Sequence, residues 1–569
     1  MKKYNCLLLV AVVASLVSCD SFLEPEKDGK LLEQDVWESQ TKYAFGILNS
    51  AYSNLHKGYN RIDGAMLAAA SDEAIHNDLT SSIKGFNDGT WGPYFPIENV
   101  WDNHYNGISK VNEFFENIDR VPIPNEGISI EGSTQELILT RERMKGEAFF
   151  LRAFFYFELI KRYGGVPLIT KTLTPDEAKS AVRASYDDCM ELILRDCDSA
   201  IVRLPERYIS VQSGAIVGYN QDSNLGRATS IAALALKSRA LLYWGSPLNN
   251  TAEDKERYKA AADAAQKVIQ SKIPGLLSFY EGESFSDLYV VSQYFPQYNK
   301  EIIFSTTYYS ATEVERQNAL ITAGGRGLTS PTQNLSNAFG MKNGNAGYDT
   351  GNPYADRDPR FYMTLAHNGY AYTMNGRGAT VDTYTGGKDA AGTYKTATRT
   401  GYYLNKFLSK QAVWDGSTNN VTRTWIFIRY AEVLLNYAEA ANEYFDSPND
   451  SVYITLELVR KRAGLSPYTI TRNKTKEEMR EIIQNERRIE LAFEEHRFFD
   501  VRRWRLFDDP VKKEDYLNIK GIRITKNGDD FLYEEYPVEK RVFEEKMYRY
   551  PIPQTEILKA PGIIQNKDW

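Results

Sequence analysis

The clearest pattern of hydrophobic positions lies at residues 228–244, where small and large apolar side chains recur at helical spacing. Ala232, Leu236 and Ala240 fall on one stripe of the helix that this spacing predicts. A turn sequence, GSPLNN, follows, and a second helical pattern occupies residues 253–271. Because so short a loop joins them, the two helices should form an antiparallel hairpin.

The same layout recurs twice more along the chain. Residues 144–162 pair with 185–203, and residues 425–445 pair with 450–463. Small residues on the apolar stripes allow helix backbones to approach closely, as stacked helix-pair repeats require. The spacing between the pairs is irregular, so we predict a mainly α-helical fold built from degenerate helix-pair repeats.

The segment 280–421 has a different pattern. Its second half is rich in glycine, asparagine, aspartate and threonine, with only short apolar runs, which is typical of turns and irregular loops. Such long loops are usually functional or disordered, and the many tyrosines argue against disorder. We therefore expect a helical scaffold that carries a loop-rich face.

The N-terminus has the pattern of a bacterial lipoprotein signal. Lys2 and Lys3 precede an apolar stretch at residues 7–16, and Cys19 follows small residues at the expected cleavage position. We interpret residues 1–18 as the signal peptide and Cys19 as the acylated residue; an ordinary secretory signal is the alternative. No later segment reaches the roughly 18 apolar residues that a membrane-spanning helix needs.

Charge and cysteine content narrow the class of protein further. The formal net charge is −7 and no long basic run is present, which argues against a nucleic-acid partner. Cys189 and Cys197 lie in one predicted helix, about 12 Å apart along its axis. Since a disulfide needs Cα atoms within about 7 Å, we expect two free, buried thiols.

Several sequence blocks resemble those of the SusD/RagB family of outer-membrane nutrient-binding lipoproteins. They are RERMKGEAFFLRAFFYFELIKRYGGVPLI (141–169), IRYAEVLLNYAEAANE (428–443), VRKRAGL (459–465), NERRIELAFEEHRFFDVRRW (485–504), the ending YPIPQTEI…QN (550–566) and the start CDSFLEPEKD (19–28). Weaker matches are PTQNLSNAF (331–339) and DRDPRF (356–361). The blocks occur in the family's order and span essentially the whole chain after residue 18.

The resemblance implies both a fold and a role. The implied fold has degenerate tetratricopeptide-like helix pairs that support an irregular ligand-binding region. The implied role is that of a surface lipoprotein that binds a glycan or, in some branches, a peptide, and caps a SusC-like TonB-dependent transporter in the outer membrane. Members of the family are not catalysts.

The pattern and the resemblance together divide the chain into four parts. Residues 1–18 are the signal, and residues 19–279 are an N-terminal tetratricopeptide-like part with a ligand-facing loop near 72–100. Residues 280–421 form the loop-rich region, and residues 422–569 form a C-terminal helical part that packs on the scaffold.

A search for catalytic chemistry favours a binding protein. The chain has no HExxH pair, no GxSxG elbow, no P-loop and no GxGxxG, and nothing in it indicates a cofactor or a metal site. Asp356, Asp358 and Arg360 are better explained by a salt-bridged turn than by a cation site. A surface glycoside hydrolase stays open as an alternative, because such an enzyme needs only two facing carboxylates.

The first predicted contribution to a ligand site is the loop at 72–100. Sugars offer apolar C–H faces bordered by hydroxyls, so a sugar site needs flat rings and directional polar groups. This loop offers Asp72, Asn77, Trp91 and Tyr94 among turn residues. Gly89, Gly92 and Pro93 flank Trp91, and we expect its ring to be exposed and to stack on the ligand.

The second predicted contribution is a group of tyrosines around the strand-like segment 300–309. Tyr289, Tyr294 and Tyr309 are the candidates, although core packing is the more common role for any one of them. Because side chains alternate along a strand, only one of Tyr308 and Tyr309 faces a given side. A glycan is the preferred ligand, with a peptide as the alternative.

Overall fold

The structure is a computed structural model that describes residue 37 and the ranges 41–123, 140–212, 215–219, 224, 226–276, 285–290, 299–416 and 418–569. Cys19 and Tyr294 lie outside these residues, so the predictions made for them stay predictions.

Helices dominate the described residues. They are α1 (Thr41–Tyr52), α2 (Lys84–Asp88), α3 (Trp101–Asn117), α4 (Arg141–Tyr163), α5 (Pro175–Lys179), α6 (Tyr186–Ile201), α7 (Ser230–Gly245), α8 (Lys255–Ser271), α9 (Phe285–Tyr289), α10 (Glu313–Asn318), α11 (Gln333–Ala338), α12 (Pro359–Thr364), α13 (Tyr430–Tyr444), α14 (Asp450–Arg462), α15 (Lys476–Glu490), α16 (Arg497–Arg503), α17 (Pro510–Leu517) and α18 (Gln554–Lys559).

The long helices pack as the predicted pairs. Helix α4 packs against α6, α7 against α8, and α13 against α14, while α8 also contacts α13 and links two of the pairs. Polar caps fix where the helices begin, because a side-chain oxygen can accept from an otherwise unpaired backbone N–H. Thr229 caps α7, Asp254 caps α8, and Ser185 forms a capping box on α6. The mainly α-helical class with helix-pair repeats is confirmed.

Among the described residues the strands form two-stranded ribbons, and all but the last two strands have five residues or fewer. They are β1 (Ala74–His76), β2 (Ile209–Gln212), β3 (Ala215–Tyr219), β4 (Ile302–Ser305), β5 (Tyr309–Ala311), β6 (Thr329–Pro331), β7 (Leu365–Ala366), β8 (Ala371–Met374), β9 (Arg377–Thr380), β10 (Tyr403–Leu404), β11 (Val421–Arg423), β12 (Ile426–Arg429), β13 (Asn518–Asn527) and β14 (Asp530–Lys540). Every pairing is antiparallel. Four of the ribbons, β1–β6, β5–β11, β4–β12 and β7–β10, join distant parts of the sequence.

The loop-rich region has a hydrophobic core of its own, separate from the core of the helix pairs. Many of the region's tyrosines lie in this second core rather than on the surface. Tyr289, Tyr402 and Tyr403 are fully buried, and the ring centroid of Tyr289 lies 4.6 Å from that of Phe407. Tyrosine-rich sequence therefore reflects packing here more than ligand contact.

A buried ion-pair network joins this region to the scaffold. At the end of β12, Arg429 contacts Glu301 at 2.8 Å, Glu490 at 2.7 Å and Glu494 at 2.7 Å. Arg360 contacts Glu490 at 3.1 Å and is also paired with its neighbour Asp358. The salt-bridged interpretation of residues 356–360 is confirmed in this respect.

The C-terminal part differs from its predicted helical character at residues 518–540. These residues form a long β-hairpin, β13–β14, which closes at a two-residue turn between Asn527 and Asp530. Gly528 has a φ of 65°, a left-handed conformation that the tight turn requires and that glycine adopts at low cost. Apolar and polar residues largely alternate in IKGIRIT (519–525), and Asn527-Gly528 is a turn signal. These local signals for a hairpin outweigh the helical pattern of the flanking segments.

Two smaller predictions concern the cysteines and the membrane. Cys189 and Cys197 are free and buried on α6, as expected, and burial raises the pKa of the Cys189 thiol to about 11. None of the helices in the described ranges combines the length and the apolar character of a membrane span.

Candidate functional site

The β1–β6 ribbon positions the first part of a polar surface on the loop-rich side. Asn77 follows β1 directly, and its backbone N–H donates to the Leu328 carbonyl at 2.8 Å. Its side-chain amide donates to the Gly327 carbonyl at 2.6 Å and to the Ser330 hydroxyl at 2.8 Å. The ribbon therefore brings Asp78, which follows β1, to the same edge as Arg326, which precedes β6.

Asp78 is held in a tight turn by its own neighbours. Its carboxylate accepts from the Thr80 hydroxyl at 2.7 Å and from the Thr80 backbone N–H at 3.1 Å. These bonds hold the pKa of Asp78 below its ordinary value, and Lys395 acts in the same direction. The carboxylate lies 4.0 Å from the Arg326 guanidinium. An ionised acceptor and a guanidinium thus share one exposed edge.

The turn at residues 57–64 continues this surface. The Asp63 carboxylate accepts from the Ser82 backbone N–H at 2.8 Å, which joins the turn to the Asp78 loop. The Asn318 amide donates to the Asn60 side-chain oxygen at 3.1 Å, which joins the turn to α10. The turn therefore lies between the Asp78 loop and the segment that contains β5.

A tyrosine ring and a lysine lie at the other end of the turn. The Lys57 ammonium is 3.3 Å from the centroid of the half-buried Tyr309 ring, a cation–π contact. From α10, Gln317 accepts from Arg326 at 2.9 Å and donates to Glu313. We call the surface formed by residues 57–64, 78–82, 309–317 and 326 the loop face.

A further exposed ring adjoins the loop face. A methyl group built on Gly327 would come within 3.3 Å of the Thr396 carbonyl oxygen, so the 394–396 segment lies beside Arg326. Tyr394 in that segment is 57% exposed. The loop face thus combines flat rings with carboxylate, amide and guanidinium groups, the mixture that sugar recognition needs.

Trp91 is not on this surface, and the prediction that its ring is exposed is wrong. The side chain is 5% exposed and packs edge-on against Phe86, Tyr550 and Trp569, with ring centroids 4.7 to 5.1 Å apart. Gly89 ends α2 in a left-handed conformation and lets the chain turn, but it does not determine which side of the loop faces solvent. The C-terminal segment covers that side.

Asp72 is also buried, at 2% exposure, and does not lie on the loop face, so the prediction that it forms part of the exposed ligand loop is wrong. Its carboxylate accepts from Arg488 at 2.6 Å and from Arg497 at 2.8 and 2.9 Å. Burial alone would raise the pKa of Asp72, but the two guanidinium groups hold it at about 2. The neighbouring Glu73 has the opposite shift, because burial and the Asp72 charge raise its pKa to about 8.

The other predicted residues divide into buried and exposed groups. Asn77 and Tyr289 are buried, at 3% and 0% exposure, so Asn77 positions the Asp78 loop and Tyr289 packs in the second core. Tyr309 lies on the loop face. Tyr94 is 73% exposed, and the carbonyl of its neighbour Pro93 accepts from the Gln554 N–H, which places it beside the C-terminal segment.

Several loop-face residues were missed by the sequence reasoning. Lys57, Asp63, Gln317 and Arg326 contribute polar groups to the loop face, and Tyr394 is an exposed ring beside it. Two turn sequences could have indicated part of the loop face. They are NRIDG at residues 60–64 and GGRG at residues 324–327. In the part of the chain that the structure describes, no group of three or more metal-ligating side chains is gathered at one place.

Helix pairs that carry an irregular polar face are the architecture of a helical-repeat binding protein. Two protein-family models match this chain and identify its family. The model described as "SusD family" matches residues 291–569, and the model described as "Starch-binding associating with outer membrane" matches residues 21–242. The chain belongs to the SusD/RagB family.

Individual relatives are similar to this chain in sequence or in structure over nearly its whole length. SusD-like protein P38 of Formosa agariphila is 24% identical over 534 residues, which cover 88% of this chain and 92% of the relative. A SusD-like protein of Bacteroides fragilis has a TM-score of 0.78 at 27% identity, over 95% of this chain and 99% of the other. A SusD-like carbohydrate-binding protein of the same species has a TM-score of 0.72 at 24% identity, over 93% and 99%.

Proposed function

We propose that this chain is a cell-surface nutrient-binding lipoprotein that captures an oligosaccharide or polysaccharide on the loop face. In this proposal it delivers the glycan to a SusC-like TonB-dependent transporter in the outer membrane. The observation that carries the glycan assignment is the loop face itself. There, Asp78, Arg326 and Tyr309 present an acceptor, a donor and a ring within one connected surface.

Family relatives support the same ligand class. One solved relative is described as carbohydrate-binding, and the family model that matches the N-terminal half is described as starch-binding. Hydroxyl groups of a sugar both donate and accept hydrogen bonds, so they suit an edge where Asp78 accepts and Arg326 donates. Tyr294 and Tyr94 stay predictions as further ligand contacts.

Attachment to the outer membrane would come from Cys19, acylated after removal of residues 1–18. The name of the matching family model refers to association with the outer membrane, which agrees with this location. In the proposal the protein binds and does not catalyse. A peptide ligand or a surface glycoside hydrolase is an outcome that the experiments below would detect.

The test is the affinity of the purified full-length protein for a panel of starch-derived, β-glucan and xylan oligosaccharides and a panel of peptides, measured by calorimetry. Arg326→Ala should weaken oligosaccharide binding by roughly tenfold or more, because a hydrogen bond to a charged group contributes about 1.5–3 kcal/mol. Arg523→Ala is the matched control. Both arginines are about half exposed, and each lies near one carboxylate, Asp78 for Arg326 and Glu534 for Arg523.

Three results would contradict the proposal. Equal affinities of wild type and Arg326→Ala would remove the loop face as the site. Binding of peptides alone would favour the peptide-binding branch of the family. Shortened sugars after long incubation, detected by mass spectrometry, would show an enzyme.

A further inference from the structure

Three adjoining depressions form one groove along helix α15, away from the loop face. Their volumes are about 600, 490 and 720 Å³. The first two share Asn485 and Arg488, and the last two share Gln484 and Lys512. From Glu478 to Arg488 the helix spans about 15 Å, so the groove is long enough for a chain-like ligand. We call it the α15 groove.

An aromatic platform forms one end of the groove. Trp504 and Tyr258 are half-buried there, and both rings line the largest depression. The indole N–H of Trp504 donates to Glu439 at 2.7 Å, and the Arg503 guanidinium lies 4.7 Å from the ring centroid. These contacts fix the indole before any ligand arrives, and such a preorganised ring suits the C–H face of a sugar.

Polar groups without partners lie farther along the groove. Gln484 is half-buried where two depressions meet, and neither end of its amide has a hydrogen-bond partner among the described residues. The Nε of Arg488 is buried without an acceptor, although the same guanidinium donates to Asp72 at 2.6 Å and to the Asn334 carbonyl at 3.0 Å. Hydroxyl groups of a ligand would satisfy the Gln484 amide, because a hydroxyl donates as well as accepts, whereas the enclosed Arg488 Nε would not contact the ligand.

Charge along the groove selects against a polyanion. Lys512 and Lys520 are offset by Glu481 and Asp515 in the central depression, and Arg480 by Glu443 at the aromatic end. A strongly anionic ligand would meet several carboxylates and gain little. The balance favours a neutral ligand with many hydroxyl groups.

We propose that the α15 groove is a second carbohydrate-binding site, which takes a neutral oligosaccharide with one sugar ring stacked on Trp504. This site is separate from the loop face. Asp72 lines the groove and precedes β1, whereas Asp78 follows β1 on the loop face, and the three-residue strand alone spans about 10 Å. A second site on the same chain would hold a polysaccharide at two points and raise its overall affinity by multivalency.

Hydroxyl-radical footprinting of the full-length protein tests the site directly. The probes are maltohexaose, laminarihexaose and xylohexaose at millimolar concentration, with a set of neutral hexapeptides for comparison. At least one hexasaccharide should reduce the oxidation of Trp504 and Tyr258. Oxidation of Tyr309 and Tyr394 reports on the loop face in the same experiment, so the two sites are scored separately.

A pair of glutamine variants measures the energetic contribution. Gln484→Ala should weaken binding of the protecting hexasaccharide at the groove about tenfold, equivalent to about 1.4 kcal/mol. Gln266→Ala, an exposed glutamine on α8 outside the groove, should leave it unchanged.

The proposal is overturned if no hexasaccharide protects Trp504, or if only the hexapeptides protect it. Equal affinities of Gln484→Ala and Gln266→Ala at the groove would overturn it as well. Protection of Tyr309 without protection of Trp504 would keep the proposed function and remove the second site.

Discussion

Trp91 and Tyr94 lie on one short loop, yet the first ring is buried and the second is exposed. The sequence correctly predicts a loop there, because Gly89, Gly92 and Pro93 break a helix. It does not reveal which side of the loop is covered, since the covering residues Tyr550 and Trp569 lie more than 400 positions later in the chain. Long-range packing of this kind leaves no local signal.

Burial of Trp91 leads to a stability prediction. Trp91→Ala should lower the free energy of unfolding by about 3–5 kcal/mol, because it removes a large ring from a packed aromatic cluster. Tyr94→Ala, the matched control on the same loop, should change it by less than about 0.5 kcal/mol. Urea denaturation of both variants measures the difference. Equal stabilities would place Trp91 outside the core.

Asp72 and Glu73 are adjacent carboxyl groups with opposite pKa shifts. Two arginines hold Asp72 ionised, whereas burial and the Asp72 charge keep Glu73 protonated up to about pH 8. Such pairs occur in active sites, but these two side chains are 2% and 1% exposed and serve the core.

Glu73 should make stability depend on pH in a defined direction. Between pH 4.5 and about 8 the folded chain holds a proton that the unfolded chain releases, so this residue lowers stability as pH rises through that window. Glu73→Gln should match wild type near pH 4.5 and be more stable near pH 8, by urea denaturation. Glu534→Gln, at an exposed position, is the control. A difference that does not change with pH would mean that Glu73 is ionised in the fold.

At the scale of elements, the packing of α3 against α4 depends on a glycine at the point of closest approach. A methyl group on Gly107 of α3 would lie 2.5 Å from the Phe155 ring on α4, whereas one on Gly46 of α1 would meet nothing within 4 Å. The apolar stripes predicted the pairs because each helix must bury one face. The β13–β14 hairpin escaped the prediction because the helical blocks on both sides dominated the interpretation.

These two glycines give a matched pair of substitutions. Gly46→Ala should raise the free energy of unfolding by about 0.5–1 kcal/mol, because alanine is the better helix former. Gly107→Ala should lower it by about 1–3 kcal/mol, because the added methyl overpacks the α3–α4 contact. Thermal denaturation of both variants checks the signs. Stabilisation by both would show that α3 and α4 are not in close contact.

At the scale of the whole molecule, two hydrophobic cores are joined by the Arg429–Glu490 network. Buried ion pairs thus connect the part of the chain that carries the loop face to the helical scaffold. The fold was predictable because its signals are repeated along the chain. The loop face was only partly predictable, because β1, β6 and the 57–64 turn meet through pairings that no local pattern specifies.

Attachment of the whole molecule to the membrane is predicted to depend on one residue, Cys19. Cys19→Ala should leave the protein without acyl chains and move it from the membrane fraction to the soluble fraction, because lipid attachment supplies the membrane affinity. Mass spectrometry of the purified protein and fractionation of cells measure the two effects. Acylated protein in the variant would contradict the assignment of Cys19.

The most direct test of the account is a crystal structure of the protein with an oligosaccharide that it binds in solution. The account predicts sugar density on the loop face, with hydroxyl groups within hydrogen-bond distance of Asp78 and Arg326 and a sugar ring near Tyr309. An empty loop face in crystals that hold the sugar elsewhere would contradict it.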